Sequence, residues 1–226
     1  MLKAFVIVIC VLLIGLFFGT RVYDKQGDKD AAFDKQKYSL TNPKSIWVIV
    51  NKQQPIMPSN FEPDDLVSIA DNQLIRNVAI TDLNHMTEAL KRNKTVVTQI
   101  SGYRSYLAQQ KVYNSIVNGF GEAIADTESA KAGYSEHQTG LAIDFGSDIC
   151  NLKDCFSETL AGKWLNANSF KYGFVLRYPE NKTDITGYKS EPWHYRYVGK
   201  ELAAQLKASG KTLEEYFGIA GGVNYR

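Results

Sequence analysis

Histidine is scarce in this chain, with three residues among 226. A site that needs several imidazoles must use most of them, so the surroundings of each are informative. Cysteine is as scarce, also three residues. None stands in a C-x-x-C pair and no second pair exists, which excludes a cysteine-built zinc module. There is no large excess of either charge. A net charge of +2 gives no electrostatic case for nucleic-acid binding, which needs a clustered basic face. The small group Lys91, Arg92 and Lys94 reads as a solvated helix end. No internal repeat is visible. With 44% hydrophobic and 22% charged residues, global disorder is excluded, and the length suits one domain with a tail.

Long apolar runs are missing after residue 18. The one that exists, Ala4 to Phe18, is broken only by Gly15, with Lys3 before it and Arg21 after it. It is short for a bilayer span, which takes about 17–25 residues, but Gly19, Thr20 and Val22 extend it enough for a tilted or thinned bilayer. Residues 1–20 are therefore expected to be a signal anchor, with a cleaved signal peptide as the alternative. No A-x-A-like site follows, and Phe17 stands where a small residue is wanted. Cys10, inside the run, reads as a buried apolar residue. On either reading the rest of the chain leaves the cytosol and meets the membrane only through this segment. Residues 21–44, rich in Lys, Asp and Gln, are expected to be a polar linker, and 45–226 the folded domain. Cys150 and Cys155 then lie on an exported domain, where a disulfide is expected rather than two free thiols.

Within 45–226 the apolar run Ile46–Val50 has strand chemistry, and Pro55, Pro58 and Pro63 mark a loop. Residues 82–94 have helical periodicity through Leu83, Met86 and Leu90, with His85 on that helix in a structural role. Residues 95–100 are a β-branched strand that runs into Ser101-Gly102-Tyr103-Arg104-Ser105, before a helix over 106–117. A short helix and loop fill 121–133. Strands are expected at 141–145, 172–178 and 195–198, and helices at 160–170 and 200–208, the last closed by Gly210. This irregular alternation predicts an α+β fold: one domain with a small antiparallel sheet flanked by helices, preceded by the N-terminal hydrophobic helix.

Two stretches carry the chemistry. Ser135-Glu136-His137-Gln138-Thr139-Gly140-Leu141-Ala142-Ile143-Asp144 and Glu191-Pro192-Trp193-His194 hold two of the three histidines. Two imidazoles and a carboxylate are the usual protein share of a catalytic zinc site, with the fourth position left open. His137 on a loop, Asp144 on a strand and His194 would supply them, although a carboxylate also suits other divalent metals. Taken singly, each histidine is explained as well by a local hydrogen bond. Glu191 is the spare carboxylate that water activation needs, and a partner that orients a ligand is its alternative role. Arg104 follows a strand and a glycine turn, where a guanidinium can clamp a carboxylate with two hydrogen bonds; a structural salt bridge is the other reading. The pattern points to a hydrolase.

These residues resemble the zinc D-alanyl-D-alanine carboxypeptidases of the VanY type and the related L,D-carboxypeptidases. The resemblance spans roughly residues 48–217. It includes Ser101 to Ser105, Gly133 to Gly140, Lys171 to Phe174, Arg177-Tyr178-Pro179, Asp184 to Tyr188 and Glu191 to Gly199. It implies Zn2+ on His137, Asp144 and His194, Glu191 as the catalytic base, and Arg104 as the clamp for a terminal D-alanine carboxylate. Gln109 and Ser135 stand where relatives contact substrate, and Tyr103 and Trp193 are expected to wall the pocket or pack the core. The implied partner is a peptidoglycan stem peptide ending in D-alanine, at the cell surface. Two alternatives stand beside D,D-cleavage: L,D-cleavage of tetrapeptide stems, and a non-catalytic wall-binding module. The loop between Cys150 and Cys155 is the main departure from the family pattern, and it can reshape one edge of the cleft.

Overall fold

The computed structural model describes residues 33–226; the expected anchor or signal segment, Cys10 and the first half of the expected linker lie outside them. Among the described residues no helix is long and apolar enough to cross a membrane. Lys35 to Arg226 form one compact unit. It starts ten residues earlier than the expected domain boundary at 45. The difference has a packing cause: the Tyr38 ring meets Trp47 edge-on at 4.9 Å, and Leu40 O accepts from Ile49 N at 3.0 Å.

Among the described residues the first strands form a two-stranded hairpin, β1 (Leu66–Ser68) and β2 (Leu74–Arg76). β2 passes directly into α1 (Asn77–Arg92), which begins five residues before the expected start because its first turn also buries Ala79. Leu83, Met86 and Leu90 continue that stripe into the core, at the spacing of one helical face. Lys91 and Arg92 occupy the last turn, where cations suit the helix dipole. His85 is exposed on this helix and is not part of the His137, Asp144 and His194 group.

The central sheet is antiparallel throughout, as the sequence predicts. Its order is β3 (Thr98–Ser101), β4 (Ala142–Gly146), β6 (His194–Tyr197), β5 (Phe174–Leu176). All five residues of β4 are buried, so it reads as an apolar run interrupted by Asp144 alone. The helices α2 (Tyr106–Phe120), α3 (Glu122–Glu128), α4 (Leu160–Asn168), α5 (Thr183–Thr186), α6 (Lys200–Ser209) and α7 (Leu213–Phe217) surround the sheet. Gly210 closes α6 in the left-handed conformation at φ 65°, as expected. Cys150 and Cys155 are joined by a disulfide in the loop after β4.

Trp47–Val50 is buried and Ile46 half-buried, but the run is not a strand. Its carbonyls are taken by side chains instead of a neighbouring strand. Arg196 Nη2 donates to Val48 O at 2.7 Å and Ile46 O at 3.1 Å, and Gln54 Nε2 donates to Ile49 O at 2.8 Å.

Candidate active site

The sheet register brings the two motifs together. Asp144 on β4 is directly opposite His194 on β6 and Ser101 on β3, which makes the carboxylate and the imidazole cross-strand neighbours. His137 arrives from a tight turn, Glu136–Thr139, which ends in the left-handed Gly140 (φ 65°). A Cβ there would stand 2.9 Å from Arg76 Cγ, so glycine lets the turn press against β2. His137 O accepts from Arg104 N at 3.1 Å, which ties the turn to the loop between β3 and α2.

Each histidine is fixed by its outer nitrogen. His137 Nδ1 lies 2.7 Å from Gly102 O and donates to it, which leaves Nε2 facing Asp144 Oδ2 at 3.2 Å. His194 Nε2 lies 3.4 Å from Glu136 Oε2, which leaves Nδ1 facing Asp144 Oδ1 at 3.1 Å. One ligand atom from each of the three residues lies within 4.8 Å of the others, and all three side chains are buried. Tetrahedral bonds of about 2.0–2.1 Å would set ligand atoms about 3.4 Å apart, close to the two contacts with Asp144. Asp144 Oδ1 is buried and no donor meets it with hydrogen-bonding geometry, an orphaned acceptor that a cation would satisfy. The donor set therefore fits zinc.

Glu191 lies at the edge of this group, with Oε2 3.5 Å from His194 Nδ1. Its turn is closed by Glu191 N donating to Tyr178 O and His194 N donating to Glu191 O, each at 3.0 Å. Burial pushes its carboxyl up to about 7; the Asp144 charge adds to this, and His194 and Arg104 oppose it. A cation on the three ligands would bring that value down again. Burial alone would lower the His194 imidazole, but the adjoining Asp144 and Glu136 carboxylates raise it to about 9.

Arg104 is braced on both sides. Nη1 donates to Gln109 Oε1 and Nη2 donates to Ser101 Oγ, each at 2.8 Å, while Asp144 Oδ2 stays 4.0 Å away. Gln109 in turn donates to Ser129 Oγ at 3.1 Å and Ala130 O at 2.6 Å. A cavity of about 240 Å³ collects Arg104, Gln109, Ser135, His137, Asp144, Glu191, Trp193 and His194. Tyr103 is not among its lining residues; its backbone N–H bonds Leu74 O at 2.6 Å, which holds it along β2.

Behind the cavity lies a buried ionic set to which the sequence reading assigned no role. Glu136 Oε1 accepts from Arg177 Nε and Arg196 Nη1, each at 2.7 Å. Arg177 also grips Glu214 with two bonds, at 2.9 and 2.6 Å, and Asn51 Nδ2 donates to the same carboxylate at 3.1 Å. Burial would raise the Glu136 carboxyl, but the two guanidiniums outweigh it and hold Glu136 ionised as the acceptor behind His194. The Tyr178 ring, in the cavity wall, stands 4.9 Å from the His194 ring and 5.2 Å from the Tyr188 ring, with the Arg177 guanidinium 5.0 Å from its centroid. The signal available in the sequence was the position of Glu136 next to His137, and of Arg177 and Tyr178 at the end of a strand.

A family profile described as D-alanyl-D-alanine carboxypeptidase, VanY, matches residues 72–200. The chain belongs to the VanY family. YodJ of Bacillus subtilis is 43% identical, over 79% of this chain and 69% of its own length. Among solved structures, the LdcB LD-carboxypeptidase has a TM-score of 0.73 at 42% identity, over 79% of this chain and 88% of that one. A vancomycin-resistance D,D-pentapeptidase VanY in complex with Zn(II) has a TM-score of 0.67 at 34% identity, over 75% and 97%.

Proposed function

We propose that this VanY-family chain is a zinc-dependent carboxypeptidase that removes the C-terminal D-alanine from peptidoglycan stem peptides outside the cytoplasm. The observation that carries the reading is the shared cavity: a metal-ready His137, Asp144 and His194 group, an acid–base carboxylate and a braced guanidinium all face it. Arg104 binds the terminal carboxylate of the substrate with its remaining donors, while Gln109 and Ser101 keep its plane fixed. Zinc, when bound, supplies Lewis-acid polarisation and makes water a usable nucleophile near neutral pH. Glu191 takes the proton of the attacking water on a carboxylate oxygen and passes it to the departing amine nitrogen as the C–N bond breaks. The buried walls, Tyr178 and Trp193 among them, keep bulk water from competing.

Cleavage between an L-configured residue and D-alanine is the second reading, supported by the similarity to LdcB. A wall-binding module without catalysis is disfavoured because Glu191 is present and aimed at the ligand group. Attachment to a membrane through the N-terminal apolar run remains part of the proposal. The test is D-alanine release from purified tetra- and pentapeptide stems by the full chain. Release that stops with chelator and with Glu191→Ala is expected. No release from either stem would refute the reading, and the stem that is trimmed decides between D,D and L,D cleavage.

A further inference from the structure

Leu152 is an unusual residue for the opening of this cleft. It sits in the loop that leaves β4, lines the cavity together with Arg104 and Glu191, and is 41% exposed. Its φ is 49°, in the left-handed region that a branched L-residue avoids. Such a conformation persists only where the surroundings impose it. Here the Cys150–Cys155 disulfide closes the loop on both sides of it. Asn151 forms an isolated bridge with Gly146, and a Cβ at Gly146 would collide with the Asn151 side chain. Ser147 N donates to Cys150 O at 3.0 Å, and Cys150 N donates to Ser147 Oγ at 3.1 Å.

The core gains little from this arrangement, because the side chain stays half out in solvent. Beside Val112, Ile116 and Trp193 in the walls, Leu152 adds an apolar group held by the loop after β4. Arg104, Gln109, His137, Asp144 and Glu191 make the floor of the cleft polar, and the substrate carboxylate is committed to Arg104 there. A residue at the exposed rim therefore meets the part of the peptide that leaves the cleft, on the amino side of the cleaved bond. We propose that Leu152 is a specificity-determining residue that packs on the aliphatic portion of the substrate residue preceding the terminal D-alanine, and that the Cys150–Cys155 disulfide holds it there. This rests on the carboxypeptidase reading above.

The test uses the zinc-loaded full chain and measures KM and kcat for D-alanine release from tetra- and pentapeptide stems. Inhibition by free D-alanine reads the clamp end alone. Leu152→Gly removes the side chain and suits the left-handed backbone, so folding is not put at risk. Its KM is expected to rise about tenfold with kcat within about twofold. Inhibition by D-alanine and the thermal midpoint should not fall. The Cys150→Ser/Cys155→Ser pair should raise KM in the same direction. Ile149→Ser, on the same loop and 79% exposed but outside the cavity lining, should leave KM unchanged. An unaltered KM in Leu152→Gly, an equal rise in Ile149→Ser, or a parallel loss of D-alanine inhibition would overturn the inference while the enzyme stays active. A native chain that releases no D-alanine from either stem would instead overturn the carboxypeptidase reading, and the inference with it.

Discussion

At the scale of single residues, the site depends on side chains fixed before substrate arrives. The Arg104 plane is set by Ser101 and Gln109, so its orientation matters as much as its charge. Arg104→Lys keeps the charge and loses the fork, and kcat/KM is expected to fall about tenfold to a hundredfold, mainly through KM, in steady-state kinetics. Glu136 acts one step further back. It gives His194 Nε2 a charged acceptor and balances Arg177 and Arg196. Glu136→Gln is expected to weaken zinc binding about 10–100-fold, read by competition with a chromogenic chelator. Native affinity in that variant would restrict Glu136 to a stabilising role. The His137, Asp144 and His194 group was legible in the sequence because so few histidines compete for the role. Glu136 stands inside the same motif but was not legible, because its partners are 41 and 60 residues away.

At the scale of elements, the loop between β3 and α2 carries both Arg104 and the acceptor that holds His137. Gly102 O holds His137, and a Cβ on Gly102 would collide with Leu74 O on β2. Gly102→Ala must push β3 away from the hairpin and carry the His137 acceptor with it. A stability loss of about 1–3 kcal/mol in chemical denaturation is expected, together with weaker zinc binding. Unchanged stability and affinity would show that the hairpin yields freely. Most elements were legible from periodicity and caps: Ser105 starts α2 by accepting from Ala108 N at 3.2 Å, where the sequence placed the helix start. Ile46–Val50 was not. Apolar β-branched residues mark burial, but a strand also needs a neighbour to pair with, and here Arg196 and Gln54 supply the donors.

At the scale of the molecule, the buried ionic set links α7, β6, the residue after β5 and the turn that carries His137. Burial would raise the Glu214 carboxyl, but Arg177, helped by Asn51, holds it below the ordinary value. A depressed folded value means that its contribution is complete above the unfolded value of about 4.3 and is lost as pH falls through the folded one. Denaturation between pH 7 and 3 should show stability declining in the acid range. Glu214→Gln should lose about 3–5 kcal/mol at pH 7 and show a shallower acid decline. An acid slope identical to the native one would exclude this pair as its source.

The sequence by itself determined the chemistry: which imidazoles and carboxylates were available, the family they belong to, and the α+β alternation that carries them. These are matters of composition, spacing and local periodicity, which one chain displays directly. Only the tertiary structure decided how that chemistry is held. The register that sets Asp144 against His194, the guanidiniums behind Glu136 and the loop that turns Leu152 to the cleft all depend on pairing and burial between distant segments. Such contacts form only when folding excludes water and leaves each buried charge to find a partner.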